Sequence, residues 1–301
     1  GRGILGGGRC AGDPGDDGRR LHTGRSRNEQ VSLDFRLYMR RRIPPLQARV
    51  RALVAALADQ ADRSGEALMP AYTHMRRAMP VLVSHFLLSH AAALRRDHGR
   101  LAVAMDEADA LPLGSGAVAG TGYAIDTQAL AAALGFSRVV PNSMDTSSDR
   151  DFAVSFLHAA SLAMVHLSRL AEDVIYFTAE EFGFFDLADS SATGSSMMPQ
   201  KKNPDPMELV RGKAGRAIGH HVALLVAMKG LPTGYNKDLQ EDKEGVFDSE
   251  HTLTVSLDAC TAVIAKLTLK PARTGKAASG LLLATDAADY LVRKGLPFRH
   301  A

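Results

Sequence analysis

The chain has 301 residues, 46% of them hydrophobic and 23% charged, enough apolar mass for one large domain or two ordinary ones. A net charge of +3, with no basic run longer than Arg40-Arg41-Arg42, excludes the electrostatic footprint of a nucleic-acid binder. Cys10 and Cys260 are too few and too far apart for a disulfide framework or a metal-ligand pattern, which points to a reducing compartment such as the cytoplasm. No run of about 18 uncharged apolar residues predicts a membrane span.

Residues 1–21 are Gly-rich, lack periodicity and read as loop. The opening Gly1-Arg2-Gly3 without Met, and an end at Ala301 in a connecting stretch, read as a piece of a longer protein. From Glu29 the pattern turns helical. Leu46, Val50, Leu53, Val54 and Leu57 form one face, and Pro44-Pro45 predicts a kink or a restart. A loop with Ser64-Gly65 and Pro70 follows. Pro80 is placed to open a helix, and 81–110 is apolar nearly all round, as in a helix buried on most faces. The Gly/Pro-rich stretch 112–122 ends it. A short helix is predicted over 126–134, closed by Gly135.

Asp149 is the expected N-cap of a long helix reaching about Phe182, with Phe152, Phe156, Ala160, Met164, Leu167, Ala171 and Val174 on its buried stripe. A polar loop, 189–202, precedes a helix over 206–228 and a turn over 230–236. The last long helix carries Val246, Glu250, Leu253, Leu257, Cys260, Ile264 and Leu267 on one face. No β-pattern stands out. The expected fold is all-α, a long-helix bundle, and helices this long and this apolar point to an oligomer whose core takes helices from several subunits, with a larger monomeric bundle as the alternative.

The most informative string is Thr193-Gly194-Ser195-Ser196-Met197-Met198-Pro199-Gln200-Lys201-Lys202-Asn203-Pro204. It offers hydroxyls, ammonium groups and an amide on a Gly/Ser loop that feeds a helix N-terminus, whose free N–H groups and dipole favour an anion. Such a loop can wrap a carboxylate substrate and exclude water. The string resembles the signature G-S-S-x-M-P-x-K-x-N-P of the fumarase/aspartase superfamily. Three further blocks are similar to argininosuccinate lyases: Leu21-His22-Thr23-Gly24-Arg25-Ser26-Arg27-Asn28, Tyr72-Thr73-His74, and Gly230-Leu231-Pro232 with 235–243, Tyr-Asn-Lys-Asp-Leu-Gln-Glu-Asp-Lys. The resemblance runs from about Leu21 to Arg299, with the blocks in order.

It implies a fumarase/aspartase-type fold and β-elimination of fumarate from argininosuccinate to give arginine. A carbon acid beside a carboxylate loses a proton, an aci-carboxylate is stabilised, and the leaving nitrogen is protonated. By resemblance the catalytic residues are Ser195, His74, Lys201 and Glu208. Which of Ser195 and His74 is the base stays open at this level; Ser195 on Cβ, with His74 on the acid side, is favoured. Lys201, Asn203 and the helix N-terminus lower the serine's pKa and hold the aci-carboxylate, and Glu208 pairs with the histidine. Substrate contacts carry over as Asn28, Thr73, Asn203, Tyr235, Gln240 and Lys243. The resemblance also implies a cytoplasmic homotetramer with active sites shared between subunits, and no cofactor and no metal. It divides the chain into an N-terminal remnant (1–27), a central helical bundle (28–275) and the start of a C-terminal domain (276–301).

Some positions depart from the family pattern. After Tyr72-Thr73-His74 the common L-Q-R-A-Q-P is Met75-Arg76-Arg77-Ala78-Met79-Pro80, which sets a cation, Arg76, beside the histidine. Glu29 stands where Asp is usual. The family's N-terminal segment, with a substrate-binding serine, and the end of its C-terminal domain are not in the chain, so this fragment lacks groups that the resemblance implies activity needs. A sibling such as adenylosuccinate lyase is disfavoured, because its M-P-H-K-R-N-P differs at Gln200 and Lys202. A structural relative like the lens crystallins is disfavoured by the retained Ser195, His74, Lys201 and Glu208. His158 and His220-His221 lack metal-ligand spacing. Gly114-Ser115-Gly116 follows a helix rather than a strand, so it is not a nucleotide loop. The polar cluster 144–152 carries no assigned role.

Overall fold

A computed structural model of the chain describes residues 22–194, 196–198 and 201–300. In chain order the elements are α1 (Arg27–Ser64), β1 (Leu68–Thr73), β2 (Arg76–Leu82), α2 (Val83–Ala108), β3 (Ala110–Leu111), α3 (Thr127–Leu134), β4 (Arg138–Val139), α4 (Ser143–Ser148) and α5 (Asp151–Thr178). Then come β5 (Phe185–Asp186), β6 (Thr193–Gly194), β7 (Lys202–Asn203), α6 (Asp205–Met228), α7 (Asp242–Lys266), β8 (Thr268–Leu269), α8 (Pro271–Ala277) and α9 (Ala284–Arg293). The fold is all-α in class, built on long helices as the periodicity predicts.

The chain forms two compact units. The first comprises the stretch ending at Gln47, Gly99–Ser161 and Gly215–Thr252; the second comprises Ala48–His98, Leu162–Ala214 and Leu253–Ala301. In the first, Phe35, Met39, Ile43, Leu46, Phe152, Phe156 and Val246 are buried, with Phe35 edge-on to Phe152 at 5.3 Å. A satellite cluster of Leu111, Ala131 and Phe136 lies under Leu33, Leu37 and Leu130. In the second, Val50, Leu53, Leu57, Leu87, Leu94, Met164, Leu167, Leu257, Cys260 and Ile264 are buried. The stripes predicted for α5 and α7 are therefore core. α5 alone among the described helices is long and apolar enough to cross a membrane, but its stripe from Phe152 to Val174 is inside the protein.

Several boundaries differ from expectation. α1 runs unbroken through Pro44 and Pro45, although an interior proline costs about 3 kcal/mol. Ile43 and Leu46, both wholly buried, flank the pair, and their burial offsets much of that cost. α5 begins at Asp151 and ends at Thr178, short of Phe182; the Asp149 carboxylate still accepts the Asp151 N–H at 2.8 Å. α3 is as predicted, with Asp126 accepting the Ala129 N–H at 2.9 Å and Gly135 closing it at φ 74°.

The largest departure is a β-hairpin. The loop expected around Pro70 is strand β1, and Pro80, expected to open a helix, sits in β2; α2 starts only at Val83. The strands pair antiparallel with Pro70 opposite Pro80. A two-stranded ribbon has only edges, so a proline can sit in either strand where its missing N–H is not needed. Thr73 pairs with Arg76, leaving a two-residue turn of His74 (φ 53°) and Met75 (φ 58°).

Candidate active site

Within the first unit, Ser26 and Glu29 cap the start of α1: Glu29 Oε1 accepts the Ser26 N–H at 2.9 Å, and Ser26 Oγ accepts the Asn28 N–H at 3.3 Å. Glu29 Oε2 accepts the N–H groups of Gly114 at 2.9 Å and Gly116 at 2.8 Å, and the side chain is buried. The Gly-rich stretch rejected as a nucleotide loop is thus a nest for an internal carboxylate. It must be glycine at 116, where a Cβ would lie 2.2 Å from Gly120 O at φ +60°. This clasp fixes the segment carrying Asn28, which is half-buried at the helix start.

Lys243 lies on the first turn of α7. Its Nζ meets Asp242 Oδ1 at 2.5 Å and stands 5.5 Å from the Phe35 ring centroid. The other Asp242 oxygen takes Arg150 Nε, and that pair is closed to solvent, with side-chain exposures of 1% and 0%. Arg36, also buried, donates to Glu107 O at 2.9 Å, pairs with Asp149 and lies 4.4 Å from the Phe152 ring. Burial depresses the Arg36 guanidinium, partly offset by Asp149. The 144–152 cluster therefore has a structural task that the sequence reading did not assign. Gln240 is exposed on a 3-10 turn, Lys237–Glu241, and Tyr235 is half-buried just before it.

Within the second unit, Thr73 and His74 stand exposed at the hairpin tip. The signature loop is closed at its base by β6 and β7, with Thr193 opposite Asn203 and Gly194 opposite Lys202. Thr193 Oγ1 also bonds the Asp205 carboxylate at the start of α6. Lys202 Nζ meets Asp189 Oδ1 at 2.6 Å, which raises the lysine and lowers the carboxyl from their ordinary values. Lys201 is exposed, its N–H donating to Met198 O at 3.0 Å. Ser195 lies outside the described residues. Glu208 is in the first turn of α6, and its ion-pair partner is Arg211 at 3.9 Å; Arg211 is held more closely by Glu172, at 2.6 Å. No hydrogen bond or ion pair joins Glu208 to His74 among the described residues.

The site residues thus fall into two groups. Asn28, Tyr235, Gln240 and Lys243 belong to the first unit; Thr73, His74, Lys201, Asn203 and Glu208 belong to the second. His220, expected to be a satisfied or exposed histidine rather than a ligand, meets Asp248 at 2.8 Å, and His158 lies edge-on to His221 at 5.7 Å. Burial, then His158, lowers the His221 pKa. Among the described residues no three His, Cys, Asp or Glu side chains gather as a metal cage.

A family model described as lyase matches residues 5–219, so the chain belongs to that family. A second model, described as argininosuccinate lyase C-terminal, matches residues 281–301. The chain is similar to the argininosuccinate lyase of Roseiflexus castenholzii, 53% identical over 94% of this chain and 62% of that protein. It is 52% identical to the argininosuccinate lyase of Synechocystis, over 95% of this chain and 63% of that protein. The chain thus spans about three fifths of the length of these relatives. Among solved structures, an EDDS lyase in complex with formate superposes with a TM-score of 0.87 at 28% identity, covering 94% of this chain and 56% of that one. A class II fumarase from Schistosoma mansoni shares the fold, with a TM-score of 0.76 at 18% identity over 87% of this chain and 60% of that one. The fold is therefore the fumarase/aspartase type that the signature string implied.

Proposed function

We propose that the chain is the central part of an argininosuccinate lyase, which eliminates fumarate from argininosuccinate and leaves arginine. The observation that carries this reading is the identity of 53% to a relative of that name over 94% of the chain, with all four motif blocks retained.

Ser195 takes the proton from the carbon next to the substrate carboxylate, and its electrons pass into the aci-carboxylate. They return to form the double bond of fumarate as the C–N bond breaks, and the leaving guanidino nitrogen takes up a proton delivered from the His74 side. Lys201 and Asn203 hold the developing dianion and favour the serine alkoxide. Asn28 and Thr73 bond carboxylate oxygens, Tyr235 closes the pocket, and Gln240 and Lys243 hold the amino-acid end. Glu208 orients His74. In a homotetramer with sites shared between subunits, residues of different groups come from different chains. The exposed Ile218, Val222, Leu225 and Val226 on α6 support such self-association. On this reading 1–27, 28–275 and 276–301 belong to the N-terminal, central and C-terminal domains, and the enzyme works in the cytoplasm without a cofactor.

The experiment follows fumarate release from argininosuccinate by ultraviolet absorbance. It uses this chain and a chimera carrying the flanking segments of the Roseiflexus relative. Ser195→Ala in the active form should lower turnover by about 10²–10⁴ with folding intact. A tetrameric chimera that releases no fumarate would sink the reading; near-normal turnover in Ser195→Ala would remove that serine from its role.

A further inference from the structure

Beside the tip of the hairpin the second unit holds an open cleft of about 950 Å³. None of the residues proposed above for the elimination lines it. Met75, Arg76 and Arg77 come from the hairpin; Arg273 and Lys276 come from α8; Glu181, Phe182 and Phe184 follow α5. Four cations face one carboxylate, which leaves an excess of three positive charges in a concavity.

Those cations are not consumed internally. Among the described residues the side chains of Arg76, Arg273 and Lys276 make no hydrogen bond or ion pair. Arg77 alone is engaged: its Nη1 donates to Ala277 O at 3.4 Å, at the end of α8, and so ties the hairpin to that helix. Arg273 is held in the cleft without a counter-ion. Its guanidinium lies over Gly183, where a Cβ would be 3.4 Å from Cζ, and Gly183 adopts φ +57°. A Cβ at 183 would only touch the guanidinium, so Arg273 lies directly against the turn after α5. The aromatic side of the cleft is fixed by packing, with Phe182 edge-on to Phe184 at 5.8 Å and to Tyr72 at 5.8 Å. Like charges converging without counter-ions repel, and a multiply charged anion relieves that repulsion through charge-assisted bonds. The volume exceeds what an inorganic ion fills and suits a small organic molecule.

We propose that this cleft binds a small organic anion carrying two or more negative charges, as carboxylates or phosphates, between Arg76 of the hairpin and Arg273 and Lys276 of α8. Bound there, the anion cross-links the His74-bearing hairpin to α8. Arg76, which sits beside His74 in sequence, then serves this cleft.

Isothermal titration of the 301-residue chain with citrate and with fructose 1,6-bisphosphate separates the two chemistries. One of them should bind at one site per chain, and more weakly as salt is raised. The double variant R273Q/K276Q should weaken that binding by at least about tenfold, and Arg76→Gln by about threefold, with circular dichroism unchanged. All three positions are exposed, so these variants fold. Absence of binding by both anions at about 10 mM overturns the proposal, as does binding of equal strength in the double variant.

Discussion

Glu29 accepts the backbone N–H of Gly116 at 2.8 Å while buried, and the same oxygen also holds Gly114. Its second oxygen holds Ser26, so one carboxylate satisfies three backbone donors on two separate segments. Glu29→Gln turns one of those oxygens into an amide that faces donors with a donor. The loss should be about 1–3 kcal/mol of unfolding free energy, the cost of leaving buried N–H groups unpaired. Urea denaturation of the variant measures it. A midpoint equal to that of the parent would show that the clasp carries no stability.

Asp242 presents one oxygen to Arg150 and the other to Lys243, and both Arg150 and Asp242 are closed to water. Asp242→Asn removes the counter-charge from a buried guanidinium, which should cost about 3–5 kcal/mol. The double variant Arg150→Met with Asp242→Leu removes both charges and should unfold later than the single one. A double variant less stable than Asp242→Asn would contradict this account of the pair.

These buried charges mark the limit of what one sequence discloses. Arg36 lies on the α1 face that also carries Ser32, Met39 and Ile43, all buried, so its place on an apolar stripe was a readable signal. Its partner Asp149 is 113 residues away, and no local pattern pairs them. The long helices were legible because burial imposes a 3.6-residue period over many turns, and Asp126 and Gly135 marked the ends of α3 because capping is local chemistry. The hairpin was not legible because Pro70 and Pro80 each signal loop or helix start alone; only their pairing across two edges makes them strand residues. Of the site, residue types and order were readable in the motif strings. The Arg211–Glu172 pair and the β6–β7 closure depend on contacts that strings do not encode.

Cys260 is wholly buried, and burial pushes its thiol up to about 12 from an ordinary 9.0. Above pH 9 the unfolded chain gives up this proton while the folded chain keeps it. The unfolded state therefore gains, and stability falls as pH rises through the window from 9.0 to about 12. The slope from this group approaches about 1.4 kcal/mol per pH unit. Tyr38, raised to about 12 from 10.0 chiefly by burial and then by Glu250, adds to the loss only above its own ordinary value. Denaturation at pH 9 and pH 10 should thus show a loss that Cys260→Ala lacks. In a Cys10→Ser background a thiol reagent should react only after unfolding; labelling of the folded protein would disprove the burial.

His74 and Met75 both hold positive φ, 53° and 58°, in the two-residue turn between Thr73 and Arg76. Such a hairpin turn suits Asn-Gly, and a side chain with a Cβ pays steric strain there of about 1–2 kcal/mol per residue. Met75 is exposed, so it gains little from packing in return. Met75→Gly should therefore raise the stability of the second unit by about 1 kcal/mol, less the extra freedom that glycine gives the unfolded chain. The same change loosens the arc on which the His74 imidazole stands. In the active chimera, turnover should drop while the thermal midpoint rises, the pattern expected where strain is kept to aim a functional group. A midpoint that falls on substitution would mean that the Met75 side chain holds the tip in place and that the positive φ angles cost little.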